Sequence, residues 1–438
     1  MTDAAHPTTS SPRKRNRDSP AAEKSASIDL SKRDLTLDLA RVFCVLLVVV
    51  IHLLSVGVGS NSKGALSISQ PVEAQPWFDG ATWIGQIMPL FFVVGGFASL
   101  TAWRSLLRRD GDAPQYVRNR VLRLAQPALP LFIFYVVALG GALLIGIAPD
   151  FVDAIAKGAG SPLWFLAAYT LCQAFVPMMA GFHQKAPRMT LVVLLAGVIL
   201  VDSVRYATGI TEIGLVNLFF VWILVQQFGF WYADGWFAKR AWWQLLAIAV
   251  VCYLALWPLT SIGWYHVDML DNLNPPTLPL VVLGLAQACI LRLARPALAA
   301  LMRTKAAKAV VFLAGTRLMT IYLWHLPVII ALSGLALLIP GASPQPSSAA
   351  WWWTRPIFYV IVLAVIFALS FLVGRWEAPR EVGVTPPGWV VGIAAALTFI
   401  PAFAVLEWFL DFWLASLGAI TLSIAILLLG RWRGTRPL

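Results

Sequence analysis

Twelve uninterrupted apolar runs of about 20 residues divide this chain of 438 residues. A helix of roughly 20 apolar residues crosses the hydrocarbon core of a bilayer. A transmembrane β-barrel would instead alternate apolar and polar residues in segments of about ten. The runs therefore predict an all-α polytopic integral membrane protein. They lie at residues 38–57, 83–103, 127–147, 162–180, 189–206, 213–232, 241–260, 277–294, 309–337, 354–374, 388–406 and 412–430.

Composition excludes the main soluble classes. Only 12% of the residues are charged, whereas an ordinary soluble domain carries about 25%. A soluble globular enzyme, a disordered protein and a disulfide scaffold are therefore excluded. The four cysteines all lie within apolar runs and form no metal-type pair, so neither a disulfide framework nor a metal site is predicted. They are Cys44, Cys172, Cys252 and Cys289.

The positive charges follow the predicted spans. With the N-terminus inside, the inside segments hold 27 of the 33 Lys and Arg residues, and the outside loops hold four. This bias is the positive-inside pattern of a multi-pass protein of the inner membrane with both termini in the cytoplasm. The net charge of +12 therefore indicates contact with anionic membrane lipids and not with nucleic acid.

The predicted topology can be tested with two reporters. A reporter fused at Arg433 should read as cytoplasmic, and one inserted near Ser343 should read as outside, because an odd number of spans separates them. The measurement is the compartment-dependent activity of each fusion. If both fusions report the same side of the membrane, the span count is wrong.

The first apolar run carries ionisable side chains that a membrane protein must explain. Arg41 and His52 are eleven residues apart, about three helical turns, so both project from nearly one face about 16 Å apart. Asp38 lies three residues before Arg41 and can pair with it. One interpretation is an interfacial ion pair with a histidine bonded to a neighbouring helix. The other is catalytic, because a deep imidazole is a suitable general base.

An arginine-rich loop follows the second run. Six arginines lie between Arg104 and Arg123, more than orientation in the membrane requires. Arginine side chains bind phosphate groups well, so the loop fits a phosphorylated cytosolic donor such as a coenzyme A thioester. Orientation and lipid contact remain the alternative explanation.

The ninth run, residues 309–337, contains a second buried histidine. It is longer than a bilayer requires and contains Pro327, so a tilt or a kink is expected. His325 lies at a depth similar to that of His52, and Arg317 lies on its cytoplasmic side. The matched pair of histidines favours chemistry more than either run does alone.

Five segments together resemble the acyltransferase-3 family of membrane-bound bacterial envelope O-acyltransferases. Residues 38–52 are similar to the family's Asp, Leu-Arg and a His eleven residues after the Arg. Residues 91–97 (FFVVGGF) resemble Phe-Phe-x-x-Ser-Gly-Phe, and residues 116–127 resemble an arginine-rich segment that ends at a proline. Residues 163–166 (LWFL) resemble Leu-Trp-Phe-Leu, and residues 321–327 (IYLWHLP) resemble Tyr-Leu-x-His-x-Pro. The resemblance covers about residues 33–376.

The resemblance implies a ten-helix acyltransferase core with about two extra C-terminal transmembrane helices. Residues 35–376 would form this membrane core. Residues 377–438 would form the two additional helices and a short basic tail. Residues 1–34, rich in Ser, Pro, Lys and Arg, read as a disordered basic cytoplasmic tail.

The implied activity is transfer of an acetyl or other short acyl group. The donor would be a cytosolic acyl-CoA, and the acceptor a hydroxyl of an envelope carbohydrate or lipid. The resemblance makes His52 the general base, and Arg41 the residue that orients the donor or stabilises oxyanion charge. Asn119 holds the place of the family's first arginine before Arg123, so Arg118 or Arg120 would take its role. The implied substrate-binding residues are Asp38, Arg118, Arg120, Arg123, Tyr322 and His325. No permanently bound cofactor is expected.

Two other classes remain open from the sequence. Twelve spans with buried charges and histidines also fit a proton-coupled multi-pass exporter. A structural or lipid-sensing membrane protein without chemistry is the third. The broken Gly/Pro helices repeated in the two halves of many transporters are not evident here, and the arginine loop favours transfer.

Overall fold

The computed structural model describes residues 34–60, 66–377 and 384–430. Within these residues, twelve helical segments are long and apolar enough to cross a membrane. The predicted all-α polytopic membrane fold and its two extra C-terminal helices are thereby confirmed. The predicted tail, apart from Asp34, and the reporter position Arg433 lie outside the described residues.

The described elements are helices with one short hairpin. Strands β1 (Gly57–Ser60) and β2 (Leu66–Ser69) pair antiparallel, with Gly57 opposite Ser69. The helices are α1 (Leu35–Ser55), α2 (Phe78–Gly85), α3 (Met88–Leu107), α4 (Ala113–Leu144), α5 (Pro149–Gly160), α6 (Trp164–Lys185), α7 (Pro187–Thr208), α8 (Asn217–Ala233), α9 (Trp242–Ser261), α10 (Leu278–Leu301), α11 (Lys305–Gly315), α12 (Leu318–Leu337), α13 (Ala349–Val373), α14 (Gly388–Trp408) and α15 (Phe412–Gly430). Short 3₁₀ turns occupy Ser161–Leu163, Thr211–Val216 and Gly374–Trp376.

Successive spans alternate in direction, so the helices end at two opposite faces. The Leu35 face is the one at which α1 begins, and the Ser55 face is the one at which α1 ends. The arginine-rich start of α4 lies at the Leu35 face. The hairpin and the first turns of α13 lie at the Ser55 face.

The ninth apolar run is two helices, which corrects the prediction of one long span kinked at Pro327. The chain leaves helical geometry at Arg317 (φ −129°, ψ 17°), and α12 then continues through Pro327. The break is stable because the Glu377 carboxylate accepts hydrogen bonds from the backbone N–H groups of Met319 (2.9 Å) and Thr320 (3.2 Å). These groups have no partner within a helix start, and negative charge is favourable there.

Helices α3 and α8 approach each other closely at two glycines. A Cβ at Gly229 would collide with the backbone of Val93 and Phe97, and one at Gly96 would collide with the backbone of Gln226. Small residues at such crossings allow backbones to touch in membrane proteins. The glycine crossing therefore fixes α3 against α8.

Gly229→Ala should destabilise the protein, because neither backbone can yield without separating the two helices. Inserting a methyl group into such a packed position costs about 1–3 kcal/mol. The measurement is the thermal unfolding temperature in detergent. Gly392→Ala in α14 is the matched control, because a Cβ there meets nothing within 4 Å. Equal stability of Gly229→Ala and the control would contradict the close crossing.

Helix α14 packs on α4 and α6, and helix α15 packs on α4 and α14. The Phe132 ring of α4 lies against Gly418 of α15, and the Phe412 ring of α15 lies against Gly140 of α4. Phe132 and Ala415 are fully buried. The two C-terminal helices thus cover one side of the helix that carries the arginine-rich segment.

Candidate active site

The structure brings the two buried histidines together. His325 Nε2 lies 3.3 Å from His52 Nδ1, and the two ring centroids are 4.9 Å apart at 60°. Helices α1 and α12 are directly packed. The similar depth expected from the sequence is therefore realised as a contact between the two imidazole rings.

The break before α12 sets the depth at which this helix begins. His52 is 17 residues past the start of α1, and His325 is 7 residues past the start of α12. At about 1.5 Å per residue, α12 therefore begins about 15 Å deeper than α1. An unbroken ninth helix could still bring the rings level, but it would leave no helix start for Glu377 to bind.

Hydrogen bonding defines which ring nitrogen carries a proton. His325 Nδ1 lies 2.5 Å from the Tyr322 carbonyl oxygen, and His52 Nδ1 lies 2.9 Å from the Val48 carbonyl oxygen. A carbonyl oxygen only accepts, so both Nδ1 atoms carry hydrogen. His325 Nε2 then accepts from His52 Nδ1–H, which is shared with Val48. This assignment leaves the lone pair of His52 Nε2 free.

The two histidines differ in access. His325 is fully buried (0% exposed), and both of its nitrogens are engaged. His52 is half-buried, and its Nε2 makes no hydrogen bond to the described residues. The geometry therefore distinguishes the two histidines. His52 can meet a substrate, and His325 can orient His52.

Three of the predicted site arginines lie close to one another at the Leu35 face. Arg41, Arg120 and Glu377 are all electrostatic neighbours of Arg123. Arg123 is exposed, and the Arg120 guanidinium lies 5.1 Å from the centre of the Tyr116 ring. Nε of Arg41 is buried without a hydrogen-bond partner in the described part of the chain, so Asp38 does not bind this atom. An anionic ligand would satisfy such a cluster.

Arg118, which the resemblance makes a donor-phosphate ligand, contacts a different part of the chain. Its side chain is 1% exposed and donates from Nε (3.1 Å) and Nη2 (2.8 Å) to the Leu429 carbonyl oxygen. Carbonyl groups in the last turn of a helix lack partners, and an arginine can satisfy them. Arg118 therefore binds the end of α15.

Tyr322 also makes a structural contact. Its hydroxyl group donates to the Pro162 carbonyl oxygen. The centroid of its ring lies 4.7 Å from the centroid of the Phe165 ring. The Tyr322 carbonyl oxygen meanwhile holds His325. Tyr322 thus fixes α12 and its histidine against the start of α6. The remaining predicted ligand, Asp38, is half-buried in the first turns of α1 at the Leu35 face.

Sequence reasoning missed a polar network around Asp234, just beyond α8. Asp234 accepts from Arg104 Nη1 (2.5 Å) and from His183 Nε2 (3.0 Å), and His183 Nδ1 lies 3.0 Å from Gln227 Oε1. Burial opposes ionisation, but the bonds from Arg104 and His183 prevail and lower the pKa of Asp234. Three distant segments meet here, and no local spacing signals it. Arg104 is thus engaged away from Arg120 and Arg123.

Glu377 is a second residue that the sequence did not single out. Burial raises its pKa, while hydrogen bonds from Thr320 and Met319 and the charge of Arg317 oppose the rise. Its one signal in the sequence was an acidic residue three positions after the tenth run. The carboxylate lies near Arg123 and also holds the start of the helix that carries His325.

Comparison with known proteins identifies a family. Residues 34–375 match the acyltransferase-3 family model, described as an acyltransferase domain. The match covers α1–α13, and α14 and α15 lie beyond it. No curated protein and no solved structure shows a significant match to the chain.

Proposed function

Since the chain belongs to the acyltransferase-3 family and is a multi-pass membrane acyltransferase, we propose that it transfers acetyl or another short acyl group from acyl-CoA to an envelope hydroxyl. The donor would approach from the Leu35 face, in the cytoplasm. The acceptor would be a carbohydrate or lipid of the cell envelope, reached from the Ser55 face. The membrane would be the inner membrane, with both termini cytoplasmic.

The free Nε2 of His52 is the observation that carries this proposal. In the proposed reaction Nε2 accepts the proton of the acceptor hydroxyl group while that oxygen attacks the thioester carbonyl carbon. The tetrahedral intermediate collapses with cleavage of the C–S bond. The CoA thiolate leaves and takes the proton from His52. His325 stays neutral and holds His52 Nδ1–H, in the way that a third residue orients the base in a triad.

The arginine cluster supplies the donor site. Arg41 lies about 16 Å along α1 from His52, and the extended pantetheine arm of coenzyme A bridges a comparable distance. Arg120 and Arg123 would bind the phosphates at the Leu35 face, with the thioester at His52. An oxyanion donor must lie about 3 Å from the developing charge. Of its two proposed roles, Arg41 therefore fits donor orientation better than oxyanion stabilisation.

A thioester assay tests the proposal. The purified protein in nanodiscs should release thiol from acetyl-CoA or propionyl-CoA when envelope glycans or lipids from a gene-deleted strain are added. His52→Gln protein provides the background rate. The product should carry label from an acyl-labelled donor. Failure of the folded protein to consume either thioester with any envelope fraction would overturn acyl-CoA as the donor, and an exporter would consume none.

A further inference from the structure

A small pocket opens at the Ser55 face, beyond the end of α1. Its lining includes Val56, Ser333 and Phe358, together with Arg355 and Trp351 of α13. Its enclosed volume is about 10 Å³, room for about one water molecule, and the pocket opens to solvent. The pocket lies away from the Arg120 and Arg123 cluster, because those two arginines are at the opposite face.

Arg355 is a buried positive charge in this pocket. Its side chain is 9% exposed and lies over the rings of Trp351 (4.4 Å) and Phe358 (4.8 Å). Nε donates to the Trp351 carbonyl oxygen (3.2 Å), and Nη2 donates to Thr354 Oγ1 (3.3 Å). These two neutral acceptors leave most of the guanidinium donors unused.

No described carboxylate neutralises Arg355. The ion pairs of the described residues do not include it, and no charged side chain in the described chain acts on it electrostatically. A buried guanidinium without a counter-ion is costly, and in membrane proteins such residues mark substrate pathways. The aromatic rings hold the guanidinium in place without occupying its hydrogen-bonding edge.

The pocket is close to the proposed base. Val56 lies four residues after His52, and the Val56 N–H group donates to the His52 carbonyl oxygen (3.1 Å). One helical turn, about 5.4 Å, therefore separates the histidine from the pocket wall. A small sugar spans that distance, so a sugar whose anionic group meets Arg355 at the mouth of the pocket can bring a hydroxyl group to His52.

We propose that Arg355 binds an anionic group, a carboxylate or a phosphate, on the acceptor. The inference rests on the proposed function and specifies its acceptor as an acidic or phosphorylated carbohydrate. The planar guanidinium matches both oxyacid groups with paired hydrogen bonds. The bound anion would also orient the sugar, so that one hydroxyl group faces His52.

Binding of simple sugars tests this assignment without turnover. Glucuronate and glucose 6-phosphate, with glucose as the neutral probe, are titrated against the full protein in nanodiscs of neutral lipid. The readout is the rise in unfolding temperature, which follows ligand occupancy. The variants are Arg355→Gln, Arg355→Lys and the control Arg205→Gln, which removes another arginine of the Ser55 face.

At least one anionic sugar should stabilise the wild-type protein and Arg205→Gln, and glucose should not. Arg355→Gln should need about ten- to a hundredfold more of that sugar, and Arg355→Lys an intermediate amount, because lysine keeps the charge but not the fork. The more effective sugar identifies the group as carboxylate or phosphate. If Arg355→Gln does not fold, the lysine variant carries the comparison.

Equal stabilisation of wild type and Arg355→Gln by the anionic sugars would overturn the assignment, and so would no stabilisation of wild type. The assignment would also be overturned if only nanodiscs of phosphatidylglycerol, and neither anionic sugar, raised the unfolding temperature in a way that depends on Arg355. The ligand would then be a lipid headgroup. Because the readout is binding, a protein that binds the sugars but consumes no acyl-CoA would refute the proposed donor and leave the anion site intact.

Discussion

Replacement of His52 by Gln is expected to lower kcat about 10²–10⁴-fold, the usual cost of losing a general base. Glutamine keeps a polar amide at this position but offers no group that titrates near neutral pH. The apparent KM for the thioester should change little, because His52 lies about three turns from the arginine cluster. Both constants are measured by steady-state kinetics with acetyl-CoA, on variant protein whose fold has been confirmed.

His325→Gln is the internal control for this prediction. His325 has both nitrogens engaged and no exposed surface, so it acts on the substrate only through His52. We expect a smaller fall in kcat at position 325 than at position 52. A larger fall at 325 would exchange the two roles, and normal turnover of folded His52→Gln would refute the base assignment.

The double replacement Arg120→Ala and Arg123→Ala is expected to raise the KM for acyl-CoA by about ten- to a hundredfold for each residue, with kcat less affected. Loss of a charge-assisted contact costs about 1.5–3 kcal/mol. Contacts to the phosphates are equal in the ground state and the transition state, so their loss appears mainly in KM. The two residues are neighbours, so their effects need not add.

Two single variants control for charge and packing in the same segment. Arg109→Ala removes an exposed arginine of the loop and should leave the donor KM unchanged. Arg118→Ala should lower the unfolding temperature without changing the donor KM, because it removes the contact to the Leu429 carbonyl oxygen. An unchanged donor KM in the folded double variant would refute the donor site.

The spans could be predicted because their signal is local. Each apolar run is read from its own residues, and the bilayer allows few alternatives. The pairing of His52 with His325 was accessible because depth follows from position along each run. The break at Arg317 was not, because it depends on Glu377, which follows a different helix.

The different contacts of the six arginines also could not be predicted, because they depend on residues far away in the sequence. All six share one loop and one residue type, and the resemblance does not decide which of Arg118 and Arg120 acts with Arg123. Their partners separate them, because Arg118 meets α15 and Arg104 meets Asp234. Arg120 and Arg41 both lie near Arg123. Proton positions on the histidines likewise depend on the backbone carbonyl groups that face each ring.

The contact between Arg118 and Leu429 has a consequence for any attempt to isolate a minimal enzyme. Arg118 lies within the residues that match the family, and Leu429 lies in the last helix beyond them. Trimming the protein to the matched region would leave this guanidinium, now 1% exposed, without the Leu429 carbonyl acceptor. Loss of a hydrogen bond to a charged group costs about 1.5–3 kcal/mol. A chain cut at the family boundary is therefore expected to unfold at a lower temperature than the full chain.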